Sequence, residues 1–205
     1  MPRKFTYSVH PGVFMVQKWA SELPQKTGRS LEQWVSVVKM SPHAANKDRI
    51  AWLKKRHKLG TRSAGWIVER AAAGLSWAAG DAKAYLRDAE RYVEDMFSGP
   101  KAALRPLYNQ LLALAFQVGK DVKASPATTI VPLYRNHVFA QIKPTTNTRI
   151  DLGLALGDTN TPKRLLSTGG LEKGDRITHR IPVSSAKDID TELRHWLAIA
   201  YELDA

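Results

Sequence analysis

Residues 149–156 read RIDLGLAL, and their alternation decides the second half of the fold. Ile150, Leu152, Leu154 and Leu156 fall on one side of an extended chain, while Arg149, Asp151 and Gly153 fall on the other. A period of two belongs to a strand with one buried face. Working back from it, 138–143 is a second strand, joined by a turn at 144–148. Asn136-His137 turns the chain before that, and 128–135 is a third strand, in which Pro132 argues for an edge or a bulge. Working forward, Gly, Thr, Asn and Pro crowd 157–175, which reads as loop. The stretch 176–183 alternates again and sends Ile177, Ile181 and Val183 inward. Ser185 and Asp188 form a capping box that opens a last helix through Ile189, Leu193, Trp196, Leu197 and Ala200.

Before Gly119 the period is 3.6. Residues 100–118 place Leu104, Leu107, Tyr108, Leu111, Leu114 and Ala115 on one helical face, with Pro100 in the first turn. Residues 12–22 group Val16, Trp19 and Ala20. Ser30 and Gln33 form a capping box ahead of Leu31, Trp34, Val35 and Val38, and Ser41-Pro42 ends that helix. A helix over 46–58 shows Ile50, Leu53 and His57 on one side, Gly60 breaks it, and 61–73 resumes. Gly80-Asp81 breaks and caps a long helix to about 97. The fold class is therefore α+β. An all-helical N-terminal domain, residues 1–98, precedes residues 99–205, where helices flank an antiparallel sheet.

The 205 residues carry 31 lysines and arginines against 19 acids, a net charge of +12. Residues 1–98 hold 17 basic and 9 acidic groups, net +8, so a polyanion contact is sought there first. The hydrophobic fraction of 43% argues for a packed core rather than a basic tail. No cysteine occurs, which excludes disulfides, thiol nucleophiles and Cys-ligated metals. No apolar run suits a membrane span, and MPRKFTYSVHPGVF lacks a secretory h-region, so the expected location is the cytoplasm.

Two sets of residues could carry chemistry. Between Lys47 and Arg62 lie seven basic side chains and one acid, Asp48. Leu59-Gly60 followed by Ala64 and Ile67 resembles the second half of a helix-hairpin-helix, whose backbone N–H groups and following helix N-terminus grip a phosphate. Lys58 stands where that motif usually carries its first glycine. The candidate contacts are Lys47, Arg49, Lys54, Lys55, Arg56, Lys58, Gly60 and Arg62; the plainer reading is a solvated basic face. The second set is polar groups on the sheet: Arg135, Lys143, Arg149, Asp151, His179 and Arg180. A small-anion pocket would draw on Arg149, His179 and Arg180, with His179 sharing the parity of Ile177 and Ile181. No P-loop, dinucleotide fingerprint, H-E-x-x-H or nucleophile elbow occurs. Acids at 88, 90, 94 and 95 read as helix-surface partners for Arg87 and Arg91. Trp19, Trp34, Trp52 and Trp196 read as core, whereas Trp66 and Trp77 are free to be either core or stacking platforms.

KTGRSLEQW at 26–34, AWLK at 51–54, Leu59-Gly60, Ala64 and Ile67 resemble a small bacterial domain of unknown function. Leu107-Tyr108, Ser125-Pro126, Arg135, Phe139, RIDLGL at 149–154, Thr178-His179-Arg180 and Trp196 resemble a second such domain that often follows the first. The resemblance covers most of residues 10–203 and implies domain order but no activity. The expectation is a non-enzymatic binding protein without cofactor or metal, contacting nucleic acid or another polyanion and no membrane. The alternatives are a small-molecule-binding or catalytic α+β domain centred on His179, and a structural interaction module.

Overall fold

The computed structural model describes residues 6–72, 81–160 and 162–205. Two compact units result: residues 9–88, and residues 89–205 together with the N-terminal stretch ending at Ser8. The division falls inside helix α5, Ala82–Met96, ten residues before the Ser98-Gly99-Pro100 break.

The first unit is helical among its described residues. Helix α1 spans Pro11–Thr27, five residues past its expected end, and the imidazole of His10 caps it by accepting from Gly12 N. Ser30 caps α2, Leu31–Lys39, with the reciprocal capping box that the sequence announces: Ser30 Oγ accepts from Gln33 N, and Gln33 Oε1 accepts from Ser30 N. Helices α3, Asn46–His57, and α4, Thr61–Ala71, are joined by Lys58-Leu59-Gly60. Leu23, Leu31, Trp34, Val38, Leu53, Leu59, Ala64, Ile67 and Val68 form the core. Asp81 caps α5 through Oδ1, which accepts from Lys83 N and Ala84 N. Residues 73–80, including the expected break at Gly80 and Trp77, lie outside the described residues.

The second unit sets helices on a sheet. A 3-10 helix, Gly99–Leu104, leads into α6, Arg105–Val118, where the sequence reading had one continuous helix. Two prolines explain the difference: Pro100 opens the 3-10 turn, while Pro106, with no N–H, sits in the first turn of α6 where none is needed. Six strands follow: β1 (Lys123–Ala124), β2 (Val131–Tyr134), β3 (Val138–Pro144), β4 (Ile150–Leu154), β5 (Leu166–Ser167) and β6 (His179–Val183). Every pairing is antiparallel, in the order β1-β2-β3-β4-β6-β5. Pro132 lies inside β2, and the register slips one residue along, between Leu133 and Tyr134. A four-residue helix α7, Gly170–Lys173, follows β5. The Ser185–Asp188 capping box caps a single 3-10 turn, Ala186–Asp188; Asp190 is the cap of α8, Thr191–Glu202.

Helices α6 and α8 pack on the sheet face that carries Ile142, Ile150, Leu152, Leu154, Ile181 and Val183, all fully buried. Each such side chain contributes about 1.5–3 kcal/mol through the area removed from water. Register brings Ile150 opposite Val183 and Leu152 opposite Ile181, so alternation sends Asp151, Gly153 and Arg180 to the other face. Ile177 departs from its expected side. Thr178 is the buried residue there, its Oγ1 accepting from Leu156 N, and both Thr178 and His179 address Leu154. This irregular step turns Ile177 outward over Gly153, where a Cβ would meet Ile177 Cγ2 at 2.7 Å. Among the described residues no helix is long and apolar enough to cross a membrane.

Candidate functional site

The basic hairpin takes shape from α3, the turn and α4. Leu53 and Leu59 are buried and anchor the two sides of the turn. Lys47, Lys54, Lys55, Arg56, Lys58, Gly60 and Arg62 are all exposed. Arg49 is half-buried and held locally, its Nε donating to His43 O at 2.8 Å. Lys58 takes a left-handed backbone, φ 58° and ψ 24°, and is the only non-glycine with positive φ among the described residues. Gly60 is the N-cap of α4, and no side chain caps that helix. The first N–H groups of α4 therefore have no capping side chain, at an exposed glycine with lysines and arginines on both sides in sequence. Lys54, Lys55 and Arg56 also sit in the last turn of α3, where its dipole favours cations.

Beneath the hairpin, His57 lies edge-on between Trp34 and Trp52, with ring centroids 5.2 and 5.0 Å away. Its Nε2 is buried without a hydrogen-bond partner. Burial, with Arg29 and Arg56 nearby, holds the imidazole below its ordinary pKa. Trp66 packs edge-on against Trp19, whose Nε1 donates to Ser63 Oγ. Both tryptophans are spent on internal packing.

On the sheet, the outward face forms a recess of about 420 Å³. Its floor is β4, where Asp151 and Gly153 are buried; Gln141 and Lys143 of β3 and Arg180 of β6 stand on either side. Arg149, Thr145, Ser167 and Thr168 complete the rim. Asp151 is the hub. Its Oδ2 accepts from Thr145 Oγ1 at 2.8 Å and from Arg180 Nη1 at 3.0 Å, and its Oδ1 lies 3.0 Å from Arg149 Nε. That last contact is an ion pair whose N–H points past the oxygen, so Oδ1 and Nε both lack a formal hydrogen bond.

The structure thus gathers Arg149 and Arg180 around one carboxylate and adds Lys143. His179 is not among the lining residues. It is half-buried, its Nδ1 lies 3.0 Å from Thr178 Oγ1, and burial lowers its pKa. Arg135 works elsewhere, stacked 4.2 Å over Tyr201 with Nε on Asp121. Of the helix-surface acids, Glu94 pairs with Arg105 at 2.9 Å. Gln141, Thr145, Ser167 and Thr168 escaped the sequence reading because ordinary polar residues carry no spacing signal. Among the described residues no group of three or more His, Cys, Asp or Glu could hold a metal ion.

Comparison with known families gives two matches. Residues 93–204 match the model of a domain of unknown function, DUF5655, and residues 16–73 match a second domain of unknown function, DUF4287. No curated protein and no solved structure matches the chain.

Proposed function

Starting from the premise that this chain belongs to the DUF5655 family and carries a DUF4287 match ahead of that domain, we propose that it is a binding protein whose α3–α4 hairpin contacts nucleic-acid phosphates without reading sequence. One observation carries the reading: α4 begins at an exposed glycine with no side-chain cap, in a segment whose lysines and arginines other than Arg49 are exposed. Uncapped N–H groups at a helix start suit a phosphate oxygen, and the flanking cations displace counterions from the neighbouring phosphates. The sequence carries no evident base-reading motif, so affinity would come from the backbone term alone.

Fluorescence anisotropy with labelled oligonucleotides tests this. For about five neutralised phosphates, log K falls against log salt with a slope of roughly −4.5 on duplex and −3.5 on single strands. Affinity near physiological salt is on the order of micromolar or weaker. Substituting Lys54, Lys55 and Arg62 with alanine flattens the slope by about three units, since each is exposed and none supports the core. Absence of binding at about 50 mM salt, or a slope untouched by the triple substitution, overturns the reading.

A further inference from the structure

The other unit holds the recess lined by Lys143, Arg149 and Arg180. We propose that the recess on the outer face of β3, β4 and β6 binds a small oxyanion, the phosphate or carboxylate group of a small molecule, through Lys143, Arg149 and Arg180.

Charge comes first. Three cations and one carboxylate line the recess, which leaves two positive charges without counter-charge at the site. Asp151 does not cancel the set; it orders it. Arg180 Nη1 donates to its Oδ2, which fixes that guanidinium before any ligand arrives, and the Arg149 guanidinium is held beside Oδ1 by ion pairing alone. Thr145 adds a third contact that fixes the carboxylate itself. The donors left over are Arg149 Nη1 and Nη2, Arg180 Nε and Nη2, and Lys143 Nζ, none of which meets a protein acceptor among the described residues. The arginine side chains remain 34% and 30% exposed, so these donors are open to a ligand. Guanidinium forks match the paired oxygens of phosphate and carboxylate, and a fixed fork loses less entropy on binding.

Space comes second. The volume lies within the usual range of small-molecule sites, about 300–1,000 Å³. Gly153 keeps it clear while holding the floor together: a Cβ there would press on Gln141 Cγ at 2.8 Å as well as on Ile177. The ligand's oxyanion would sit on the arginine forks, with Gln141 and the Ser167 hydroxyl offering hydrogen bonds to the rest of it.

Isothermal titration of the full chain with inorganic phosphate and, separately, with malonate tests the proposal at constant ionic strength. Saturable one-to-one binding of either probe supports it, and the probe that binds identifies the oxyanion class. Arg180→Gln and Lys143→Gln each weaken binding about tenfold or more, as loss of a charge-assisted contact requires. Lys143→Gln is the safer variant for the fold, because Lys143 is exposed. The alanine substitutions at Lys54, Lys55 and Arg62 leave this binding unchanged, which separates the site from the hairpin. Failure of both probes to bind at about 20 mM, near the weakest useful affinity for a single oxyanion, overturns the proposal. Binding that survives both glutamine variants, or that disappears with the hairpin substitutions, also overturns it.

Discussion

Lys58 is the residue where local energy and position conflict most openly. A left-handed backbone costs an L-residue about 1–2 kcal/mol, and glycine escapes that cost at the price of about 0.5–1 kcal/mol in chain entropy. Lys58→Gly is therefore expected to stabilise the protein by about 0.5–1 kcal/mol in urea unfolding. The same change removes one cation from the hairpin, so the salt slope of nucleic-acid binding drops by about one unit. A more stable variant with a shallower slope would show that lysine is kept there at the fold's expense. Unchanged stability would mean that the turn relaxes around either residue. The departure from glycine was plain in the sequence; that the chain holds the left-handed turn regardless was not.

At the scale of elements, long periodic segments were legible and short ones were not. Strand β4, inside the expected 149–156, and helices α1 to α5 follow from periodicity, because each repeats its period several times, and the Ser30–Gln33 box follows from its own spacing. Strands β1 and β5 have two residues apiece, which is one repeat and no pattern, and α7 is a single turn, so 157–175, which holds β5 and α7, read entirely as loop. The second box, at Ser185 and Asp188, was recognised but assigned to the wrong helix, since a 3-10 turn offers the same N–H geometry as an α-helix start. For the recess, parity found Arg149, Asp151 and Arg180 on one face, whereas an irregular step at Thr178 removed Ile177 from the core. Clamps between distant elements had no sequence signal. Asp204 is 4% exposed and ties three of them: Oδ2 accepts from His137 N at 2.7 Å, while Oδ1 lies 3.1 Å from His137 Nδ1 and 2.7 Å from Arg176 Nη2. Asp204→Ala leaves the His137 N–H without its acceptor, while the Arg176 guanidinium is exposed enough for water to take over its contact. The expected loss is about 2 kcal/mol, read as a lower urea midpoint with an unchanged slope. A loss under about 1 kcal/mol would mean that water replaces the carboxylate at little cost.

For the whole molecule, acid is expected to weaken the helical unit through His10 and His57. His10 and His57 both sit below the ordinary imidazole pKa: His10 through burial, His57 through burial and then Arg29 and Arg56. The unfolded chain takes up these protons before the folded one, so stability is complete above about pH 6.5 and falls as pH drops towards the folded values. His10 adds a direct loss, because its Nδ1 can accept from Gly12 N only while unprotonated; such a cap contributes about 1 kcal/mol. Four of the five described tryptophans, 19, 34, 52 and 66, lie in this unit, so tryptophan emission follows its melting. The midpoint is expected to fall by roughly 4–8 °C per kcal/mol lost between pH 7.5 and 5.5. His10→Asn with His57→Phe, which keeps the cap and the ring packing, should flatten that dependence; an already flat wild-type profile would refute it. The sheet of the other unit carries a different consequence. Its outermost strands, Lys123–Ala124 and Leu166–Ser167, are two residues long each, the Ala124 carbonyl already accepts from Ser8 N, and inside β1 the next strand is interrupted by Pro132, which has no N–H. Templated fibril growth needs a long free row of backbone donors and acceptors, and this sheet withholds one at both margins.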